Sequence, residues 1–269
     1  MRTLVHLSDL HFGRTDPAVI EPLLATVASL RPDLVVVSGD LTQRAKAAEF
    51  KAARAFLDRL APPRLVVPGN HDVPLYRVWE RFLSPLGNYR RFIGDELEPV
   101  FVDDEIAVLG INTARALTFK SGRINHEQIE AIRRHFDAQP EGRTHIVVTH
   151  HPFDLPDDAQ AQALVGRASA AMAAFATCGV DLLLAGHFHL SHAGDTSQRH
   201  PLAGYSALAV QAGTATSTRG RGESNSFNVL RVQKDRISVE RRAWQPERGI
   251  FASEDGETFR RDASRWIEC

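Results

Sequence analysis

Five short apolar runs, mostly of β-branched residues, punctuate the chain at Thr3–Leu7, Leu34–Val37, Leu65–Val67, Ile146–Thr149 and Leu182–Leu184. Runs of this length bounded by polar residues predict buried strands. Between them lie segments with apolar residues at helical spacing. Pro17–Leu30 opens on a proline suited to a first helical turn. Ala45–Leu60 is rich in alanine and carries Glu49, Lys51, Arg54 and Asp58 on one side, the pattern of an amphipathic helix. Pro74–Leu83, Glu127–Phe136 and Arg167–Thr177 predict further helices, and Phe101-Val102 with Ile106–Ile111 predicts a hairpin turning at Asp103-Asp104. Parallel strands joined by helices imply a layered α/β core. The last third differs: Ala207–Gln211, Phe227–Val232 and Ile237–Arg242 alternate like antiparallel strands without intervening helices. They are expected to extend the sheet or to form a second sheet packed on it. Asn112–Asn125, Phe153–Val165 and Gly213–Ser226 predict long loops, which tend to be functional in a compact domain.

Each of the five strands leads into a polar motif, and the motifs share one chemistry. In order they are Asp9-Leu10-His11, Gly39-Asp40, Gly69-Asn70-His71-Asp72, His150-His151-Pro152 and Gly186-His187-Phe188-His189. Strand ends of an open α/β sheet form its binding crevice. Mixtures of Asp and His without Cys suit Mn, Fe or Zn, and the five motifs together supply enough donors for two ions. Strand alternation places Asp9 and His11 on one side, and His187 and His189 likewise. Asp40 has two oxygens and can bridge two cations, while Asn70 adds a neutral oxygen. Two divalent ions, two carboxylates and one bridging hydroxide leave an excess of about one positive charge. Such a site attracts a phosphate ester and activates the hydroxide as nucleophile. Any one of these motifs alone has an ordinary turn or capping explanation; all five in order do not. Of twelve histidines, His6, His126, His135, His145, His192 and His200 lack this context and are expected at the surface or in packing. The His151 side chain is expected to point away from the ligands, in a supporting or structural role.

Composition narrows the classes. A chain of 269 residues, 43% hydrophobic, can bury its core without disulfides. A single domain is expected, with a motif-bearing core over residues 1–190 and a β-rich segment over residues 191–269. Cys178 and Cys269 form no CxxC pair and suggest a reducing compartment. Met1 leads straight into a strand, leaving no room for a secretory signal, and no apolar run approaches a membrane span. A cytoplasmic location is therefore expected. A formal charge of −1 gives no overall attraction to nucleic acid or to acidic membranes.

The ordered set D-x-H, G-D, G-N-H-[D/E], H and G-H-x-H resembles the calcineurin-like metallophosphoesterase superfamily. Leu7-Ser8-Asp9-Leu10-His11, Val37-Ser38-Gly39-Asp40-Leu41-Thr42 and Val67-Pro68-Gly69-Asn70-His71-Asp72 look most like its class III cyclic nucleotide phosphodiesterases and glycerophosphodiesterase-like enzymes. The resemblance runs from residue 9 to residue 189. It implies an αββα sandwich with a dimetal site at the strand C-terminal ends. Asp9, His11 and His189 would hold one ion, Asn70, His150 and His187 the other, and Asp40 both, with the ions about 3.5 Å apart. His71 would sit over the substrate phosphate and assist the leaving oxygen, and Asp72 could orient it. The implied substrate is a small phosphodiester, a 3',5'-cyclic nucleotide first and a glycerophosphodiester next. The arginine-bearing G-D-x-V-D-R-G motif of protein phosphatases is replaced by Gly39-Asp40-Leu41-Thr42-Gln43-Arg44, which puts that activity in doubt. Arg14, Arg115 or Arg219 could reach the site from loops. Alternatives are a phosphomonoesterase, a nuclease or a non-catalytic metal-binding scaffold. For a nuclease the candidate basic cluster is Arg219, Arg221, Arg231, Arg236, Arg241 and Arg242, interrupted by Glu223, Asp235 and Glu240.

Overall fold

All five motif-bearing runs form strands, but the strands are divided between two sheets. The structure is a computed structural model that describes residues 1–60, 63–155, 164–219 and 222–269. In the first half, β1 (Arg2–Leu7), β2 (Leu34–Ser38) and β3 (Arg64–Val67) run parallel, joined by α1 (Pro17–Leu30) and α2 (Ala47–Leu57). Two short helices follow, α3 (Val78–Leu83) and α4 (Gly87–Phe92), then β4 (Val100–Val102), which pairs antiparallel with β5 (Ile106–Gly110). The parallel pattern then repeats: β5, β6 (Thr144–Val148) and β7 (Leu182–Ala185) are joined by α5 (His126–Asp137) and α6 (Ala168–Cys178). The remaining strands are β8 (His192–Asp195), β9 (Leu208–Gln211), β10 (Ser226–Val232), β11 (Arg236–Gln245), β12 (Ile250–Asp262) and β13 (Arg265–Glu268). One sheet has the order β13-β12-β11-β10-β1-β2-β3 and the other β4-β5-β6-β7-β9-β8.

Strand periodicity explains the layering. Successive side chains leave opposite faces of a strand. On β1 and β2, Val5, Leu7, Val35 and Val37 face outward, where Val19, Leu23 and Val27 of α1 and Phe50 and Phe56 of α2 cover them. Leu4, Leu34 and Val36 face inward and meet Ile146, Val148, Leu182 and Leu184 of the second sheet. On that sheet Leu109, Val147 and Leu183 turn outward beneath Ile129, Ile132 and Phe136 of α5 and Met172 and Phe175 of α6. The order is helices, sheet, sheet, helices: the expected αββα sandwich. Every residue of β2, β5 and β7 is buried, as strands covered on both faces require.

Local chemistry sets the helix ends. Asp16 caps α1 by accepting from Ala18 N at 2.9 Å, with Pro17 in the first turn. Asn125 and Gln128 form a reciprocal capping box on α5. Glu49 does not lie on a solvent-facing side as expected: it is buried, and its carboxylate accepts from Arg44 N and Lys46 N ahead of α2.

Three expectations need correction. Ala207–Gln211 is antiparallel on one side only: β9 pairs antiparallel with β8 but parallel with β7, and it is buried throughout, so alternation carries no face information. The strands β12 and β13 have no counterpart among the expected elements. They form the outer edge of the first sheet and bury little beyond Phe251, Phe259 and Trp266, so most of their positions are polar. The predicted helix Pro74–Leu83 shortens to α3. Positions 156–163 of the predicted loop Phe153–Val165, and Arg221 of the basic cluster, lie outside the described residues.

Candidate metal centre

The donors do not reach the centre by strand alternation. Asp9 and His11 lie past the end of β1, Asp40 past β2, and His187 and His189 past β7. All five adopt left-handed backbone conformations, with φ of 53°, 48°, 52°, 79° and 60°. Non-glycine residues seldom do this, Asp and His more readily than most. Each such residue costs on the order of 1–3 kcal/mol and persists only when its surroundings hold it. For Asp9, His11 and Asp40 the surroundings are backbone hydrogen bonds between the loops after β1 and β2: Asp9 N donates to Gly39 O at 3.2 Å, His11 N to Asp40 O at 2.9 Å and Phe12 N to Leu41 O at 2.9 Å, while His187 N donates to Asp9 Oδ2 at 2.9 Å. A third segment locks onto them, as Thr214 Oγ1 donates to Asp9 O and Thr216 Oγ1 to Leu10 O.

The resulting donor set has two halves with one shared member. In the first half, His189 Nε2 lies 3.2 Å and His11 Nε2 3.5 Å from Asp9 Oδ1, and the two imidazole nitrogens are 3.1 Å apart. In the second, His150 Nε2 lies 3.1 Å from Asn70 Oδ1 and 3.3 Å from His187 Nδ1. Asp40 Oδ2 faces both, 3.3 Å from His150 Nε2 and 3.8 Å from His11 Nε2. Its other oxygen accepts from His71 N at 2.8 Å. All seven expected ligand residues are therefore brought together.

The arrangement fits two cations. Asp9 Oδ1 is buried with no hydrogen-bond partner among the described residues, an expensive state for a carboxylate oxygen unless a cation occupies the space before it. The far nitrogens of two donors are anchored, His150 Nδ1 donating to Ser38 O at 2.8 Å and His189 Nδ1 to Arg219 O at 3.1 Å. Such bonds fix ring orientation and tautomer and leave Nε2 for a metal. Electrostatics agree. Burial opposes ionisation of Asp9, but the close approach of His11 and His189 and the charge of His189 and His150 hold it well below the carboxylate range. Burial likewise opposes charge on His150, yet Asp40 and Asp9 raise it to about 9, so the carboxylates demand a positive partner. Burial and repulsion from His150 drive His187 down to about 3.

His71 stands beside the donors. Its Nδ1 donates to Gln43 O at 3.0 Å, which leaves Nε2 facing the cavity, 3.1 Å from Arg219 Nη1. Asp72 does not orient it. The Asp72 carboxylate accepts from Leu41 N, Thr42 N, Gly69 N and Thr42 Oγ1, and so ties the Asp40 loop to the Asn70 loop. His151 does not turn from the ligands as expected: its ring lies 4.7 Å from that of His187 and 4.9 Å from that of His150, but both its nitrogens are taken, Nδ1 pairing with Thr113 Oγ1 at 2.8 Å and Nε2 donating to Lys120 O at 3.1 Å. Among the loop arginines, Arg219 reaches the site, whereas Arg115 turns to Asn112 O, Ala114 O and Gln128 Oε1. His6 is a buried packing residue whose Nε2 lies 2.8 Å from Ser38 Oγ. Sequence reasoning misses Ser8, which donates to Asp9 Oδ2 at 2.7 Å, and Thr113 and Thr214; only Ser8 adjoins a motif.

Two motif glycines are required by proximity. A Cβ on Gly69 would lie 2.1 Å from Asp40 Oδ1, and one on Gly186 would lie 1.8 Å from Ser8 Oγ and 2.6 Å from Asp9 Oδ2. Gly69→Ala and Gly186→Ala are each expected to cost about 1–3 kcal/mol by overpacking and to lower metal content. Gly94→Ala, which meets nothing within 4 Å, serves as the control. Thermal midpoints and metal content equal across all three variants would contradict the packing account.

Comparison with known proteins agrees with the geometry. The model of the calcineurin-like phosphoesterase family matches residues 2–191. The chain is 26% identical over 203 residues to a 3',5'-cyclic adenosine monophosphate phosphodiesterase of Escherichia coli, covering 69% of each chain. It is 26% identical over 265 residues to a cAMP/cGMP dual specificity phosphodiesterase of Mycobacterium tuberculosis, covering 87% of this chain and 77% of that one. The fold is shared with a dimetal phosphatase of Danio rerio, at TM-score 0.67 and 15% identity over 94% of this chain and 98% of that one. It is also shared with a purple acid phosphatase of yellow lupin, at TM-score 0.70 and 13% identity, where 97% of this chain spans 54% of the other. The chain belongs to the calcineurin-like phosphoesterase family, and its chemistry is the hydrolysis of phosphate esters.

Proposed function

We propose that the protein hydrolyses small phosphodiesters with two divalent or transition metal ions, Mn, Fe or Zn, and that 3',5'-cyclic nucleotides are the first class to test. The observation that carries this reading is the shared Asp40 between two donor sets, with His71 beside them at the edge of a cavity. Asp9, His11 and His189 would hold one ion, Asn70, His150 and His187 the other, and Asp40 both. Bound ions would supply Lewis-acid polarisation of the ester and lower the pKa of the attacking water. The protein's own contribution is positioning: anchored imidazoles fix the donors, and Asn70 and His71 face the space where the phosphate sits. The relatives named as cyclic nucleotide phosphodiesterases support the diester reading.

The expected result is a kcat/KM for bis(p-nitrophenyl) phosphate or cyclic AMP above that for p-nitrophenyl phosphate, under the same metal and with metal content measured in parallel. Cleavage of the monoester alone would overturn the diester reading and leave the metal centre standing. Arg219 at the site favours the monoesterase as second reading, since a dianion wants an extra cation. A nuclease is weakly supported, because Arg231 and Arg242 pair with Glu240 and Arg241 pairs with Glu223 and Glu254, leaving no bare basic stripe there among the described residues.

A further inference from the structure

Beside the metal centre the wall of the site turns strongly positive. A cavity of about 220 Å³ is lined by Arg44, Asn70, His71, Phe119, Lys120 and Arg219, among others. Arg14 lies near enough to add its repulsion: burial first, then Arg14 and Arg44, lowers the Arg219 pKa even against the attraction of Asp40. Among the described residues, no carboxylate pairs with the side chain of Arg14, Arg44, Lys120 or Arg219. Arg44 lies over the Tyr76 ring at 5.5 Å and Arg219 contacts His71, and neither neighbour cancels charge.

Several arginines elsewhere in the chain are each balanced by a carboxylate. Arg59 pairs with Glu21, Arg199 with Asp154, Arg231 with Glu240, Arg241 with Glu223 and Arg261 with Asp181. The whole chain carries −1, so the cluster is a local feature and not a general excess. The nearby carboxylates cannot balance it, because Asp9 and Asp40 are turned inward to the histidines and to backbone N–H groups. With two divalent ions and a hydroxide held by Asp9 and Asp40, the metal centre would carry about one positive charge in excess, enough for a monoanionic diester. Arg44 and Lys120 exceed what the scissile phosphate requires. Holding like charges around a partly buried cavity costs free energy that a bound anion recovers through charge-assisted hydrogen bonds.

We propose that this cavity binds a second anionic group of the substrate, a phosphate or carboxylate separate from the scissile phosphorus, so that the preferred diester is one bearing such a group. The proposal rests on the diester reading above. The scissile phosphate lies at the end of the cavity that Asn70 and His71 Nε2 face, beside the metal donors. The second anion lies outward against Arg44 and Lys120, with Arg219 between the two and Phe119 beside the organic link. Cations that merely steer substrates would raise association rates for every anion and would be screened by salt. A subsite instead discriminates between ligands that differ only in the second group.

Two matched pairs test this on the metal-loaded protein. Calorimetry compares thymidine 5'-phosphate with thymidine 3',5'-bisphosphate, and kinetics compares the p-nitrophenyl ester of thymidine 5'-phosphate with its 3'-phosphorylated form. The added phosphate is expected to lower Kd and KM by about tenfold or more. Arg44→Gln with Lys120→Gln should remove that gain and leave kcat/KM for the unphosphorylated diester within about twofold. Lys120→Glu, at an exposed position, should weaken bisphosphate binding selectively even if the double variant folds poorly. Arg44→Lys with Lys120→Arg should restore the gain. Equal affinities within the wild-type pair, or a gain that survives Arg44→Gln with Lys120→Gln, would overturn the subsite. A binding contrast without turnover of either diester would instead overturn the diester reading and leave the subsite in place.

Discussion

Asp40→Ala is expected to carry fewer than two metal ions per chain and to turn over bis(p-nitrophenyl) phosphate on the order of a thousandfold more slowly, the scale of several kcal/mol of lost Lewis-acid stabilisation. The size of the effect comes from position. Asp40 Oδ2 faces both halves, 3.3 Å from His150 Nε2 and 3.8 Å from His11 Nε2. Asp40 Oδ1 also accepts from His71 N, so the substitution frees the loop that carries Asn70 and His71. The buried His150 would keep its Ser38 anchor but lose the carboxylate that favours its charge. Asp40→Asn separates the two roles, since the amide keeps an oxygen for His71 N and loses the negative charge. It should retain stability better than Asp40→Ala while still losing metal. Metal analysis and steady-state kinetics on both variants provide the check, and near-wild-type turnover in a metal-depleted Asp40→Ala protein would end the dimetal reading.

The donors are legible in the sequence because each is a distinctive residue type placed directly after an apolar run, as with Asp9 and His11 after Thr3–Leu7. The alternation of Leu4, Val5 and Leu7 likewise encodes two buried faces, one under helices and one against another sheet. The illegible remainder is carried by the backbone. The anchors of His150, His71 and His189 are the carbonyls of Ser38, Gln43 and Arg219, and a carbonyl has no residue-type signature. The left-handed turns at Asp9, His11 and Asp40 have the same origin, because backbone hydrogen bonds between loops hold them and none of the three is a glycine. Asp72 shows the error that this invites. Its adjacency to His71 suggests a pairing with that side chain, but three backbone N–H groups and one hydroxyl claim it. The strand β9 misleads differently: a strand buried on both faces gives no alternation from which to read its direction.

His71→Ala should cost most where the departing oxygen is a poor leaving group. The Nδ1 proton is held by Gln43 O, which fixes the ring with Nε2 toward the cavity. In the free protein Nε2 accepts from the Arg219 guanidinium, while burial, with His11 and Arg219 adding to it, depresses the His71 pKa. The resting ring is therefore neutral and cannot donate from Nε2. An arriving phosphate changes both conditions, since its oxygens compete for the Arg219 N–H groups and its negative charge favours a proton on Nε2. His71 then stands as a donor beside the ester. A p-nitrophenolate departs with little protonation, whereas an alkyl or ribose oxygen needs a proton as its bond to phosphorus breaks. General-acid assistance is worth about 10²–10⁴-fold, so His71→Ala should lose on the order of a hundredfold or more with cyclic AMP or an alkyl diester and far less with bis(p-nitrophenyl) phosphate. Equal losses across a series of leaving groups of increasing pKa would remove the proton-donor role and reduce His71 to holding the phosphate in place. Arg219→Gln distinguishes the partner's contribution: by freeing Nε2 it should shift the basic limb of the kcat profile, where the His71 proton is lost, to higher pH, because a neighbouring cation no longer opposes protonation of His71. An unchanged limb would show that the two side chains act independently.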